Sequence, residues 1–399
     1  MTEAIAVLKL KAQTDRRLRA GHLWIYSNEV DVKATPLKSF QPGQQVVVEN
    51  ARGKAMGLAY INPHNLICAR LFSRETKHLL DKSLLVHRLN IALSLRVMMT
   101  DQPYYRLVYG DSDFLPGLVV DRFGDVLVVQ IATVGMELVK DDVIAALCQV
   151  LKPQGILLKN DSRIRQAEAL PEYVEVVYGE VPTCVPILEN GVHFSVPVYD
   201  GQKTGWFYDH RANRARLVDY VRDKRVLDVF SYIGGWGVQA AAFGAASVTC
   251  IDSSGFALDL VEANAQLNDV SDKMATLQGS AFDTMKMLID NGERFDVVII
   301  DPPAFIPRRK DIKSGEQAYR WVNELAIRLL NKNAVLVSAS CSMHLGRERL
   351  CDILRAGARH LDRELQILEK GGQCFDHPVH PSIPETEYLK AVFARVLSG

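Results

Sequence analysis

The architecture of this chain can be inferred from one segment, Asp228-Val229-Phe230-Ser231-Tyr232-Ile233-Gly234-Gly235-Trp236-Gly237. It joins an apolar strand to a helix through a glycine turn, where the backbone must bend sharply and lie close to a ligand. From about residue 192, strand and helix patterns alternate around this turn, which predicts a parallel doubly wound sheet. Strands are expected at residues 225–230, 247–251, 275–278, 296–300 and 334–340, and two antiparallel strands near 364–369 and 389–396.

The acidic residues around the glycine turn indicate a nucleotide-like cofactor. Asp228 ends the first strand, and Asp252 ends the next, where an acid holds the two ribose hydroxyls in nucleotide-binding folds. Asp283 follows the third strand and is placed to accept a hydrogen bond from an adenine amino group. The glycines lack the full G-x-G-x-x-G spacing of a dinucleotide dehydrogenase, which favours S-adenosylmethionine over NAD. The alternative for Asp252 is a helix N-cap, since two serines follow it.

A segment rich in glycines, aromatic residues and both signs of charge precedes the sheet, at residues 201–211. We interpret it as a lid over the cofactor, in which Lys203 and Thr204 donate hydrogen bonds to the cofactor's carboxylate. The alternative is a turn held together by aromatic packing.

Two strand ends define the expected reacting site. Asp301 follows the fourth strand and Cys341 the fifth, so both should lie at the edge of the sheet where ligands bind. A thiolate that adds to carbon 6 of a cytosine makes carbon 5 nucleophilic enough to take a methyl group. A carboxylate beside the ring can steady the base or shuttle its proton. These residues are therefore our catalytic candidates; the alternative for the thiol is a small buried hydrophobe.

Composition excludes several classes of protein. The 399 residues include 47 Lys and Arg and 47 Asp and Glu, so the overall charge gives no nucleic-acid signal. The seven cysteines form no C-x-x-C pair, and we expect neither a zinc site nor a disulfide framework. The chain starts without a signal-peptide pattern and has no apolar run long enough to span a membrane, so we expect a cytoplasmic protein.

Two local basic clusters are candidates for RNA binding, because an RNA backbone needs cations even on a neutral protein. The alternative for each is a solvated surface. The first cluster is near the start of the chain and the second follows the Asp301 motif; their members are Arg16, Arg17 and Arg19, and Arg308, Arg309 and Lys310.

Three domains are expected along the chain. Residues 1–73 consist of short strands broken by turn residues, which suggests a small β-barrel. Residues 74–190 begin with a helix at about 77–99, continue through a hairpin around Phe123-Gly124 and a helix at about 137–151, and predict an α+β domain. Residues 191–399 form the doubly wound domain.

These motifs together resemble the bacterial 23S ribosomal RNA cytosine-5 methyltransferases, which consist of PUA, central (EEHEP-like) and Rossmann-like methyltransferase domains. The resemblance covers nearly the whole chain and implies a seven-stranded mixed sheet. It implies S-adenosylmethionine as methyl donor, a cytosine of 23S rRNA or of a large-subunit precursor as target, and Cys341 as nucleophile. A homodimer is possible, but no residue pattern requires it. The segments that carry the resemblance are Phe230-Ser231-Tyr232-x-Gly234-Gly235, Lys203-Thr204-Gly205, Asp209-x-Arg211, Asp301-Pro302-Pro303 and Ser340-Cys341-Ser342. The residues expected to bind the cofactor are Lys203, Thr204, Asp228, Ser231, Gly235, Asp252, Asp283 and Asp301.

One departure from the family pattern leaves two other functions open. Many RNA cytosine-5 methyltransferases have a second cysteine after the motif-four proline, where this chain has Ala304, so the base that completes elimination is unassigned. Asp-Pro-Pro followed by an aromatic residue is also typical of amino-group methyltransferases acting on guanine or adenine, but here the aromatic, Phe305, comes one position late. The other alternative is a non-catalytic RNA-binding protein of ribosome assembly.

Overall fold

The computed structural model describes residues 5–398, which divide into two units. The first unit extends to Val185 and also contains Pro197–Tyr208 and Phe375–Thr386; the second contains Pro186–Val196, Asp209–Cys374 and the residues from Glu387 onward. Within the described range, no helix is long and apolar enough to cross a membrane. The same residues contain no cluster of His, Cys, Asp and Glu side chains that could hold a metal ion.

The first unit begins with short strands that form one sheet. Its elements are β1 (Ala6–Lys9), α1 (Arg16–Arg19), β2 (Trp24–Tyr26), β3 (Gln45–Glu49), β4 (Ala55–Ile61) and β5 (Ile67–Ser73). The strands are ordered β1-β3-β4-β5-β2. In β3, Val46 and Val48 are buried while their neighbours are half-buried, because successive side chains of a strand point to opposite faces. The short strands that the sequence predicts here are confirmed.

A second sheet follows in the same unit, in the order β10-β9-β8-β7-β6. Its elements are α2 (Lys82–Met99), β6 (Tyr104–Tyr109), β7 (Leu118–Phe123), β8 (Val126–Ile131), α3 (Val134–Glu137), α4 (Lys140–Leu151), β9 (Gly155–Asn160) and β10 (Tyr173–Gly179). The predicted hairpin around Gly124 is confirmed as β7 and β8.

Both helices predicted for this region differ at their boundaries. α2 begins at Lys82 rather than at residue 77, because the Asp81 carboxylate accepts a hydrogen bond from Leu84 N at 2.9 Å and caps the helix there. The helix expected at about 137–151 is α4, which begins at Lys140 because Val139 lies outside the helical conformation, with φ −106° and ψ 21°. The short helix α3 before it was not predicted.

The second unit is built on a sheet of seven strands, ordered β15-β14-β13-β16-β17-β19-β18. The elements from residue 184 onward are β11 (Cys184–Glu189), β12 (Val192–Pro197), α5 (Arg211–Ala215), β13 (Arg225–Val229), α6 (Gly237–Ala242), β14 (Ser247–Asp252), α7 (Gly255–Leu267), β15 (Met274–Gln278), α8 (Ala281–Asp290), β16 (Phe295–Ile300), α9 (Ile312–Leu329), β17 (Leu330–Ser340), α10 (Arg347–His360), β18 (Arg363–Gly372) and β19 (Lys390–Ser398). The strands lie where the sequence predicts them, although β17 starts earlier than expected.

The strand order reverses at β13, which pairs in parallel with both β14 and β16. The first five strands of the sheet in sequence are parallel, and β19 pairs antiparallel with β17 and with β18. In open α/β sheets, ligands bind beyond the carboxyl ends of the strands at such a reversal. The glycine turn begins at the carboxyl end of β13, so the fold puts it at the expected ligand site.

Candidate active site

The glycine turn after β13 has an unusual backbone. Phe230, Tyr232 and Gly234 have φ values of +67°, +50° and +85°, so left-handed residues alternate with ordinary ones. For a residue with a side chain this conformation is strained, and such strain is typical of functional sites. The amides of Phe230 and Ser231 both donate to Ile251 O, at 2.9 and 3.0 Å, which folds the turn back over β14. Two backbone hydrogen bonds therefore tie the turn to β14, and we call this glycine turn the cradle.

Asp252 connects this turn to the next strand end. One carboxylate oxygen accepts from Tyr232 N and the other from Ser254 N, each at 2.9 Å. The N-cap of α7 is Ser254, whose hydroxyl accepts from Ala257 N, so Asp252 is not itself the cap. The half-buried Asp252 carboxylate is held in place by backbone amides and keeps acceptor capacity for a ligand.

Asp228 lies behind the cradle. It is fully buried, and its Oδ2 accepts from Gly237 N at 2.8 Å, which fastens the first turn of α6. Burial raises its pKa to about 8, against the opposing effect of the Gly237 hydrogen bond. Its Oδ1 has no hydrogen-bond partner among residues 5–398. The Asp228 side chain therefore holds the start of α6, and its role toward a cofactor stays a prediction. Ser231 and Gly235 are buried in the same turn.

Asp283 lies in the first turn of α8, after the third strand. Its side chain is 76 % exposed and forms an ion pair with Lys286 at 3.5 Å. The preceding Phe282 packs against Phe305 and Trp321, with ring centroids 6.2 and 4.6 Å apart. The carboxylate is therefore accessible to a ligand beside an aromatic surface.

Asp301 follows β16 and has two partners that the sequence did not reveal. Trp236 Nε1 donates to its Oδ2 at 3.0 Å, and His210 Nε2 lies 3.2 Å from its Oδ1. Burial would raise the pKa of Asp301, but the electrostatic attraction of His210 and the hydrogen bonds from both partners outweigh it and hold the pKa below its usual value. The carboxylate is therefore ionised at neutral pH.

Cys341 lies directly after β17, beside the Asp301 loop. Its Sγ is 3.8 Å from Pro302 O, so the two motifs predicted to be neighbours are in contact. The thiol is half-buried rather than enclosed in the core. The hydroxyls of Ser340 and Ser342, on either side of it, each lie 2.9 Å from the Tyr319 hydroxyl. The backbone that carries the thiol is thus fixed on both sides.

Lys203 and Thr204, the other expected cofactor residues, belong to the first unit. Thr204 is fully buried and its hydroxyl donates to Asp121 Oδ2 at 2.5 Å. Lys203 is exposed, and its ammonium lies over the Phe207 ring at 4.8 Å from the centroid. Their role toward a cofactor stays a prediction.

The two basic clusters differ in how much of their charge is already neutralised. Arg17 forms an ion pair with Glu29 at 3.0 Å and lies over the Tyr26 ring, so it is part of the first sheet's structure. Arg16 and Arg19 are exposed, the latter 3.2 Å from Asp15. In the second cluster all three side chains are exposed, and Arg308 pairs with Asp311 at 2.8 Å; the other two members are Arg309 and Lys310.

Comparison with known proteins gives a consistent result. Residues 8–74 match the PUA-like domain family, and residues 144–381 match the S-adenosylmethionine-dependent methyltransferase family. Proteins named ribosomal RNA large subunit methyltransferase I are 35 % identical: the one from Aliivibrio fischeri aligns over 96 % of this chain and 97 % of its own, and one from Vibrio cholerae over 100 % of both. The solved structure of SMU.776 complexed with SAH covers 98 % of this chain and 100 % of its own, with a TM-score of 0.84 and 23 % identity. At that identity the last likeness shows the fold alone.

Proposed function

Because the chain belongs to the family of S-adenosylmethionine-dependent methyltransferases that have an N-terminal PUA-like domain, we propose that it methylates carbon 5 of a cytosine in 23S ribosomal RNA. The observation that carries the proposal is the contact between the two reacting motifs, in which Cys341 Sγ lies 3.8 Å from Pro302 O, beside Asp301. Relatives named for the large ribosomal subunit support an rRNA or precursor substrate, and hence a cytoplasmic site of action.

The cradle suits the cofactor. Asp252 would hold the ribose hydroxyls, since its carboxylate is fixed by two amides and still has acceptor capacity. Asp283 would accept from the adenine amino group, and the turn from Ser231 to Gly235 would lie against the rest of the ligand. When bound, S-adenosylmethionine supplies an electrophilic methyl group.

Cys341 provides the nucleophilic step. Its thiolate forms a bond to carbon 6 of the cytosine, and the electron pair of the ring double bond moves so that carbon 5 can take the methyl group. The bond from that methyl group to the donor sulfur would break, and the sulfur would keep the electron pair and leave as a neutral thioether. A base then removes the carbon-5 proton, and the electrons of that bond expel the thiolate from carbon 6. These steps regenerate the enzyme without a second cysteine, and this chain has Ala304 at the position where such a cysteine would stand.

Asp301 acts as an acceptor in this scheme. Since its pKa is held low, the carboxylate cannot donate a proton to the ring at neutral pH. It can accept a hydrogen bond from the exocyclic amino group of cytosine, which fixes the base edge. His210 and Trp236 orient the carboxylate for that purpose.

The amino-group alternative is weakened by the position of Phe305. In that mechanism an aromatic residue stacks on the extruded base. Here the Phe305 ring is already packed, 4.9 Å from the Tyr319 centroid and 6.2 Å from those of Phe230 and Phe282. It would have to leave this cluster to stack on a nucleotide.

The test is methyl transfer from labelled S-adenosylmethionine to ribosomal RNA, followed by digestion to nucleosides. We expect label in 5-methylcytidine with the native enzyme, none with Cys341→Ser, and normal transfer with the control Cys351→Ser, whose half-buried thiol lies on α10. Calorimetry should show the same cofactor affinity for all three. Label in a methylated guanosine or adenosine that survives Cys341→Ser would contradict the proposal. Cofactor binding without any transfer would favour the non-catalytic alternative.

A further inference from the structure

A buried lysine lies next to the proposed nucleophile. Lys390, the first residue of β19, is only 4 % exposed, which is unusual for this residue type. In the antiparallel pairing of β17 and β19, Lys390 is opposite Ser340, the residue before Cys341. Its Nζ donates to the carbonyl oxygen of Ser342, the residue after Cys341, at 2.7 Å. The lysine therefore contacts the backbone on both sides of the thiol.

The ammonium group is held at a defined position. A second hydrogen bond from Nζ to Tyr388 O, at 2.8 Å, fixes it from its own chain segment. Since consecutive Cα atoms are about 3.8 Å apart, the bond to Ser342 O keeps Nζ within about 9 Å of the Cys341 Cα. At this range, with an effective dielectric constant of about 20, an ammonium lowers the pKa of a half-buried thiol by about 1 unit.

The charges that face Lys390 come from three places. The pKa of Lys390 is lowered to about 8, because burial, the largest cause, and Arg347 of α10 together lower it more than the Cys341 thiol and Glu387 raise it. Arg347 and Glu387 are themselves 3.6 Å apart, so they largely offset each other. Cys341 is the strongest of the electrostatic partners, and the influence of two charges on each other is mutual.

We propose that Lys390 is a positioning residue that stabilises the thiolate of Cys341 and orients the backbone that carries it. The proton lost from Sγ goes to solvent while Lys390 keeps its own, which leaves a thiolate and an ammonium. The functional consequence rests on the proposed role of Cys341 as nucleophile; the electrostatic coupling itself does not. Burial of an ammonium group is unfavourable, and the two carbonyl oxygens that Lys390 contacts could also accept hydrogen bonds from an uncharged donor. Stabilisation of a thiolate gives the positive charge itself a function.

The test is the pH dependence of Cys341 alkylation by iodoacetamide, measured peptide by peptide with mass spectrometry. In Lys390→Met the side chain keeps a similar length but loses its charge, and the alkylation midpoint of Cys341 should rise by about 1 pH unit or more. At fixed neutral pH the rate should fall only about threefold, because a more basic thiolate is also more nucleophilic. The midpoint is therefore the decisive readout.

Two controls separate this effect from a general disturbance. Lys370→Met removes an exposed lysine from the neighbouring strand β18 and should leave the Cys341 midpoint unchanged. Cys351, whose pKa responds to Lys370 and Arg347, serves as an internal reference and should keep its midpoint in Lys390→Met. A midpoint for Cys341 that is the same in Lys390→Met and in the native protein overturns the proposal.

A reciprocal measurement covers the case in which Lys390→Met does not fold. Carbon-13 NMR of labelled lysine should show a lower pKa for Lys390 in Cys341→Ser than in the native protein, since the thiolate that favours the ammonium is gone. An unchanged lysine titration overturns the coupling. Neither measurement needs RNA or methyl transfer: if Cys341→Ser still methylates RNA, the proposed function fails while both titrations keep their meaning.

Discussion

Replacing Tyr319 with phenylalanine removes one oxygen atom from the core of the second unit. Tyr319 lies on α9 and is fully buried. Its hydroxyl is 2.9 Å from the hydroxyl of Ser340 and 2.9 Å from that of Ser342. Those serines have one further contact each: Ser342 Oγ accepts from Ile306 N at 3.1 Å, and Ser340 Oγ accepts from Ser342 N at 3.2 Å. The variant therefore loses two hydrogen bonds and leaves two buried hydroxyls with fewer partners.

The expected cost follows from these contacts. A hydrogen bond of this kind contributes about 1 kcal/mol net, and an unsatisfied buried group costs at least as much, so the free energy of unfolding should fall by about 2 kcal/mol. For a domain of about 150–250 residues this corresponds to a melting temperature lower by about 4–8 °C. Methyl transfer should also slow while cofactor affinity is kept, because Cys341 stands between the two serines, whereas Asp252 and Asp283, which we propose hold the cofactor, follow other strands.

The assay is urea unfolding followed by tryptophan fluorescence, since Trp236 and Trp321 both lie in the second unit. The control is Tyr178→Phe, which removes a hydroxyl from a tyrosine that is 45 % exposed and should change stability by less than about 0.5 kcal/mol. If Tyr319→Phe is as harmless as this control, the serines are not held by Tyr319 and the reasoning is wrong.

Two further substitutions test the cradle. Asp252→Ala should weaken S-adenosylmethionine binding about 100-fold, because the ribose hydroxyls and the amides of Tyr232 and Ser254 all lose their carboxylate acceptor. Asp252→Asn should weaken binding less. Calorimetry that finds either affinity within threefold of native would contradict the assignment of Asp252 to the ribose. Asp228→Asn tests the raised pKa of Asp228, which is about 8 in the folded protein. As pH rises, the Asp228 carboxyl loses its proton in the unfolded chain before it does so in the folded protein. The free energy of unfolding should therefore fall between about pH 4 and pH 8. The asparagine side chain does not titrate, so between pH 5 and pH 8 the free energy of unfolding of the variant, measured in urea, should fall by a few kcal/mol less than that of the native protein. An equal fall in both proteins would refute the raised pKa.

The sequence was sufficient for the parts of the site that depend on strand order. Apolar runs followed by glycine or acidic residues identify the strand ends, and the rule for ligand sites in open sheets then brings Asp301 and Cys341 together. The structure has their motifs in contact, through Cys341 Sγ and Pro302 O. Asp252 could be assigned in the same way, because its position follows from the end of β14.

The partners of these residues could not be predicted in the same way. His210 and Trp236 contact Asp301 only in the folded chain, and no spacing in the sequence indicates these contacts. Both residues nevertheless lie in segments whose glycines and aromatic residues suggest a function. Lys390 is separated from Cys341 by α10 and β18, so its hydrogen bond to Ser342 O depends on the antiparallel return of the last strand. Likewise, the ion pair of Arg17 with Glu29 is a tertiary contact that no sequence spacing indicates, and RNA binding by Arg17 stays a prediction.

The position of β19 has a consequence for biosynthesis. This strand lies between β17 and β18 but is made after both of them. While the chain emerges from the ribosome, β17 and β18 therefore have no partner between them, and their exposed edges can pair with other chains. The lysine beside Cys341 also arrives only with β19, so a nascent chain stopped before residue 390 would display the thiol without its neighbouring ammonium group. Maturation of this enzyme is therefore a late event in its synthesis, and truncated products should aggregate rather than act.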